Sequence, residues 1–180
     1  PLAIALDEND PDKLFFTCGD KRSNYICISD DKGENIIQKA LPCSVHGNEV
    51  GRATGDRLIY KNGRLYFGSQ TAGIIYSEDM GESWQSIDLF GEKNISLIWT
   101  DSEGKLFIAG CSGEANSPDG VTRGHTLYCS TDGLKSFVPL TAPDPVKYEN
   151  SSYYGFVPQR ITSDSRYIYI TFASSGEVFY

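Results

Sequence analysis

Only one methionine and two histidines occur in these 180 residues, and no long segment repeats its apolar residues at the 3.6-residue helical period. That profile does not suit a helical bundle. No apolar run approaches the roughly 20 residues that a membrane-spanning helix needs. Basic residues number 16 against 24 acidic ones, a net charge of −8. This balance argues against a nucleic acid partner. The five cysteines, Cys18, Cys27, Cys43, Cys111 and Cys129, contain no CxxC pair, so no metal site is expected. Cys18 and Cys27 fall on consecutive strand-like runs, as do Cys111 and Cys129. A cross-strand disulfide is open there, with free buried thiols favoured. His46 and His125 stand alone, and neither is assigned a catalytic role. No cofactor is expected.

Glycine is plentiful, with 18 residues, and aromatics make up 12%. Together they indicate a turn-rich all-β chain with enough apolar mass for a core. One stretch is diagnostic. Ser77, Asp79, Gly81, Ser83 and Trp84 form an Asp-box, Ser-x-Asp-x-Gly-x-(Ser/Thr)-Trp. A worn copy keeps Ser29, Asp31 and Gly33 but lacks the tryptophan. A second keeps Ser130 and Asp132, shifts the glycine by one and replaces tryptophan with Phe137. A spacing near 50 residues indicates a propeller or a similar array.

Each box lies between two short apolar runs and therefore reads as a hairpin turn. The aspartate is expected to accept turn amides, the glycine to supply positive φ, and the aromatic ring to pack back beneath the turn. These are structural roles. The boxes lack the further carboxylates that a calcium site of six to eight oxygens requires. Four-stranded units then follow at about 2–41, 52–89 and 95–140, with part of a fourth at 155–180. Lys61-Asn62-Gly63 marks the first hairpin of the second unit. Three blades and most of a fourth read as a fragment of a larger, seven-bladed ring. Pro1 and Tyr180 read as cuts through a longer protein, and the fragment alone is expected to be marginally stable.

Three segments exceed what a turn requires: 46–58, 111–125 and 142–156. Loops of that length are often functional. Arg52 and Arg57 stand among glycines in the first, where they either pin the loop to carbonyls or bind a ligand. Tyr153 and Tyr154 in the third either stack on sugars or close a blade interface. Asn94-Ile-Ser96 and Asn150-Ser-Ser152 are glycosylation sequons, with meaning only in a secreted eukaryotic protein.

The run Gly47-Asn48-x-x-Gly51-Arg52-x-x-Gly55-Asp56-Arg57-Leu58, then Leu65-Tyr66-Phe67-Gly68 and the Asp-box, resembles the family 74 glycoside hydrolases. These are the xyloglucanases and oligoxyloglucan-specific cellobiohydrolases. The family pattern has Glu where this chain has Asp56, which keeps the carboxylate. Ala3–Asp7 with Asp10-Pro11-Asp12, Gly155–Pro158 and Ile168–Thr171 agree with family segments in the same order. The resemblance implies two seven-bladed propellers around a cleft that hydrolyses xylose-bearing β-1,4-glucan with inversion, by one carboxylic acid and one carboxylate base. It places the base in a blade before this chain and the acid in the second propeller. No residue of this chain is therefore catalytic.

The residues assigned to substrate contact are Arg52, Asp56, Arg57, Tyr153 and Tyr154. The implied partners are a xyloglucan-like polysaccharide or oligosaccharide, the remaining blades and a second propeller. The implied location is secreted or extracytoplasmic. The alternative is a non-enzymatic Asp-box propeller, sortilin-like or assembly-factor-like, that binds protein or peptide. The few aromatics of the first two long loops lean that way. A sialidase would need three converging arginines, and no Arg-Ile-Pro segment occurs.

Overall fold

Short β-branched and aromatic runs, bracketed by Asp, Asn and Gly, become strands. The computed structural model describes residues 3–19, 24–45, 57–69, 72–88, 94–111, 126–140, 158–172 and 178–179. Among them, the first sheet holds β1 (Ile4–Asp7), β2 (Asp10–Gly19), β3 (Asn24–Ser29) and β4 (Ile37–Ala40). The second holds β5 (Leu58–Lys61), β6 (Arg64–Gly68), β7 (Ile74–Ser77) and β8 (Gln85–Ile87). The third holds β9 (Asn94–Thr100), β10 (Leu106–Cys111), β11 (Thr126–Ser130) and β12 (Val138–Leu140). The fourth holds β13 (Pro158–Ser163), β14 (Ile168–Phe172) and β15 (Val178–Phe179). Every sheet is an antiparallel meander in chain order.

The side-chain alternation of the inner strands in the second and third sheets feeds two cores rather than one. In β7, Ile75 packs towards the first sheet with Leu58, Leu65 and Phe67, meeting Phe15, Ile26 and Ile28. Its neighbour Ile74 points the other way with Tyr66, meeting Ile98, Ile108 and Tyr128. The third sheet repeats the pattern, sending Leu97, Phe107, Ala109 and Leu127 against Ile161 of the fourth. Central strands are therefore apolar on both faces. The last strand of each four-stranded sheet is an exposed edge, and β12 tolerates Pro139 for that reason.

First strands sit together: β1 approaches β5, β5 approaches β9, and β9 approaches β13. Sheets that share an inner line of first strands and present outer edges to solvent are the blades of a β-propeller. The second and third blades meet so closely that a Cβ on Gly68 would lie 2.6 Å from Ile95 Cγ2. Glycine is needed here for approach, not for φ.

The first sequon is corrected by this packing. Asn94 opens β9 opposite Cys111 and is 3% exposed, and Ser96 is wholly buried. No glycosyltransferase reaches such an asparagine in the folded chain. Asn150 lies outside the described residues.

Candidate functional site

Antiparallel meanders have two ends, and this chain loads them differently. The hairpins at Glu8-Asn9 and Asn62-Gly63 and the three Asp-boxes share one end. Strand β4 leads into 41–57, β10 into 112–125 and β12 into 141–157 at the other end. All three long segments singled out from the sequence are thus bracketed by strand termini on one rim, away from the Asp-boxes.

The Asp-box end is closed on itself. Ser29 Oγ donates to Asp31 Oδ1 at 2.7 Å and accepts the Gly33 amide at 2.8 Å. Ser77 does the same with Asp79 and Gly81 at 2.8 and 2.7 Å. Ser130 does so with Asp132 and Leu134 at 3.0 Å each. Each aspartate also accepts the amide four residues on, from Asn35, Ser83 and Ser136, at 2.9 Å in all three. The same three residues then donate a side-chain hydrogen bond to the second carboxylate oxygen. These donors hold all three carboxyls down to about 2. The Asn35 amide contributes most at Asp31, and the serine hydroxyls at Asp79 and Asp132.

The displaced glycine of the third box has a geometric explanation. Each box carries two consecutive left-handed residues: Lys32 and Gly33, Met80 and Gly81, Gly133 and Leu134. The third box keeps the turn and moves its glycine to the first of the two places. Leu134, at φ 72°, is held by burial against Tyr66 and its neighbours. Gly81 has no such freedom, because a Cβ there would meet Ile26 Cγ2 at 3.0 Å. Trp84 packs into the core between the first two blades, and Phe137 into the next one. Lys39 fastens the second box from the first blade, donating to the Met80 carbonyl at 2.7 Å and pairing with Glu82 at 2.9 Å.

At the opposite rim, Arg57 begins the second blade. The sequence leaves two roles open for it, pinning the loop or binding a ligand, and its geometry is that of a pin. The side chain is 1% exposed. It donates to the Val45 carbonyl at 3.0 Å and to the Gly68 carbonyl at 3.3 Å, and it lies over the Phe67 ring at 5.4 Å. It thus ties Val45, just before segment 46–56, to the second blade. A substrate could not touch this guanidinium without opening the packing. Burial lowers its pKa to about 10, so it remains a cation at neutral pH. Its Nε is buried without a partner among the described residues. Cys43 lies beside it, hydrogen-bonded with Ser69, and burial pushes its thiol up.

Arg52, Asp56, Tyr153 and Tyr154 lie outside the described residues, as do His46 and His125. Among the described residues, no group of three His, Cys, Asp or Glu side chains could hold a metal ion. The Asp-box serines are the structural residues that motif reasoning undervalued. Their hydroxyl is the one atom that touches both the aspartate and the left-handed amide, and its recurrence at the head of all three boxes was the available signal.

No family model matches the chain. It is 30% identical over 119 residues, 59% of its length, to an oligoxyloglucan-reducing end-specific xyloglucanase of Emericella nidulans. It is 25% identical over 162 residues, 83% of its length, to a probable enzyme of the same description from Neosartorya fischeri. The chain covers only 15% and 18% of those two proteins. Among solved structures, the GH74 enzyme of Niastella koreensis superposes on 98% of the chain with a TM-score of 0.73 at 24% identity, using 27% of that enzyme. The chain therefore resembles the GH74 xyloglucanases in sequence and shares their fold, over less than a fifth of the length of these two curated relatives.

Proposed function

We propose that this chain is part of the propeller of a xyloglucan-degrading glycoside hydrolase and forms one wall of its substrate cleft. The observation that carries this reading is the coincidence of two likenesses on the same residues. Sequence similarity to xyloglucanases runs over as much as 83% of the chain, and a GH74 fold matches 98% of it. The rim that brackets the three long segments is the face offered to substrate. Arg52, Asp56, Tyr153 and Tyr154 are its proposed contacts, with the two tyrosines as stacking platforms for sugar rings. Arg57 serves that wall indirectly, by fixing where segment 46–56 starts and ends.

The acid and base of hydrolysis are assigned to parts of the longer protein beyond this chain. A second propeller completes the cleft, and the whole works outside the cytoplasm. The stereochemical outcome tests the assignment. Incubating the full-length protein with xyloglucan oligosaccharides and following the new reducing end by proton NMR should show inverted anomeric configuration first. Initial retention would contradict the reading.

A further inference from the structure

We propose that Cys18 and Cys27 are a disulfide site, closed by a disulfide oxidant such as oxidised glutathione, that cross-links the second and third strands of the first blade. The two strands pair with Phe16 opposite Cys27 and Cys18 opposite Tyr25. The cysteines are therefore diagonal neighbours on one face of the sheet, close enough for side chains to meet. Both are free thiols here, in hydrogen-bond contact with the sulfur atoms 2.7 Å apart. That is about two-thirds of an ångström beyond the 2.03–2.05 Å of a disulfide. The ladder runs unbroken from Leu14–Ser29 to Gly19–Asn24, so the backbone keeps both side chains in reach.

The pair is selective. Cys43 is engaged with Ser69 beside Arg57, and Cys129 packs in the core between the third and fourth blades. Burial is asymmetric as well. Cys27 is 1% exposed and Cys18 is half-buried. Burial, followed by the Cys18 contact, also pushes the Cys27 thiol up to about 12; being the more exposed member, Cys18 is the sulfur that meets the oxidant.

The chemistry follows from this order. Cys18 gives its thiol proton to solvent and its sulfur attacks glutathione disulfide, breaking the S–S bond to form a mixed disulfide and release one glutathione thiolate. Cys27 passes its proton to solvent and attacks the Cys18 sulfur, releasing the second glutathione. Two protein thiols are oxidised, one glutathione disulfide is reduced to two glutathiones, and two electrons are transferred.

Sequence supplies a convenient assay, because cleavage after Lys13, Lys21, Arg22 and Lys32 puts the cysteines on separate peptides, 14–21 and 23–32. The folded protein is equilibrated in glutathione buffers of rising oxidation, trapped with N-ethylmaleimide, digested with trypsin and mapped by mass spectrometry. The expected result is a linked 14–21/23–32 pair, two hydrogens lighter than its parts, with Cys43, Cys111 and Cys129 alkylated. In Cys27→Ser, Cys18 should be recovered alkylated or carrying glutathione, and never in an intrachain disulfide. Recovery of Cys18 and Cys27 both alkylated from fully oxidising buffer, with the β-sheet circular dichroism intact, would overturn the proposal. So would a link from either to one of the other three cysteines.

Discussion

At the scale of single residues, the Asp-box is a hydrogen-bonding device centred on its serine. Ser77 is buried, and its hydroxyl serves Asp79 and the Gly81 amide at once. Ser77→Ala leaves that amide without its acceptor and should cost about 1–3 kcal/mol in chemical denaturation. The aspartates make a separate prediction about acid. Their folded pKa near 2 lies below the ordinary carboxylate value of about 4. A depressed carboxyl stabilises the fold above its unfolded pKa, and that contribution disappears as pH falls through the folded one. Stability should therefore drop between about pH 4 and pH 2. Replacing Asp31, Asp79 and Asp132 together with Asn should flatten that segment of the stability–pH curve; an unchanged slope would remove the carboxylates from the account. Arg57→Met should cost about 1.5–3 kcal/mol from its charged hydrogen bonds, read as a lowered denaturation midpoint. Binding of substrate should change only as far as the rim loosens.

At the scale of elements, the strands were legible because each is a short apolar run closed by Asn-Gly, Asp-box or Asp/Ser punctuation. The all-β propeller could therefore be inferred before any coordinates. What one strand of sequence does not reveal is which blade each face meets. Asn94 reads as a sequon in one dimension and is a buried strand start in three, because β9 is pressed between β5 and β13. Leu134 looks like a broken motif, yet the turn simply places its glycine one residue earlier. The candidate site was less legible. Arg57 was visible as a residue of interest, but its burial depends on carbonyls at Val45 and Gly68 that no local pattern announces. The blade seam offers a test of its own. Gly68→Ala forces a Cβ onto Ile95 and should destabilise by about 1–3 kcal/mol. Adding Ile95→Ala to that variant should cost less than the two separate changes summed.

At the scale of the whole molecule, each four-stranded blade has two apolar faces, and the second and third blades cover both. Among the described residues, the first blade covers only one. Its other face carries Ile4 at 60% exposure and Leu6 at 59%, and Ile36 at the aromatic place of its box is 50% exposed. In the next two boxes that place holds Trp84 and Phe137, each packed on the blade before it. Exposed faces of this kind bind partners or aggregate. Residues 1–180 alone should therefore unfold broadly and at low temperature, and should self-associate as concentration rises. A sharp, concentration-independent melt of a monomer would contradict the claim that further blades complete the fold.

The central claim is that this wall belongs to an enzyme acting on xyloglucan, and reducing-end release by the full-length protein tests it most directly. Wild type should liberate new reducing ends from xyloglucan oligosaccharides. Replacing Tyr153 and Tyr154 with Ala should raise KM by roughly tenfold, the equivalent of about 1.4 kcal/mol of lost stacking. No release of reducing ends by the intact wild-type protein would contradict the account and leave a propeller that binds rather than cuts.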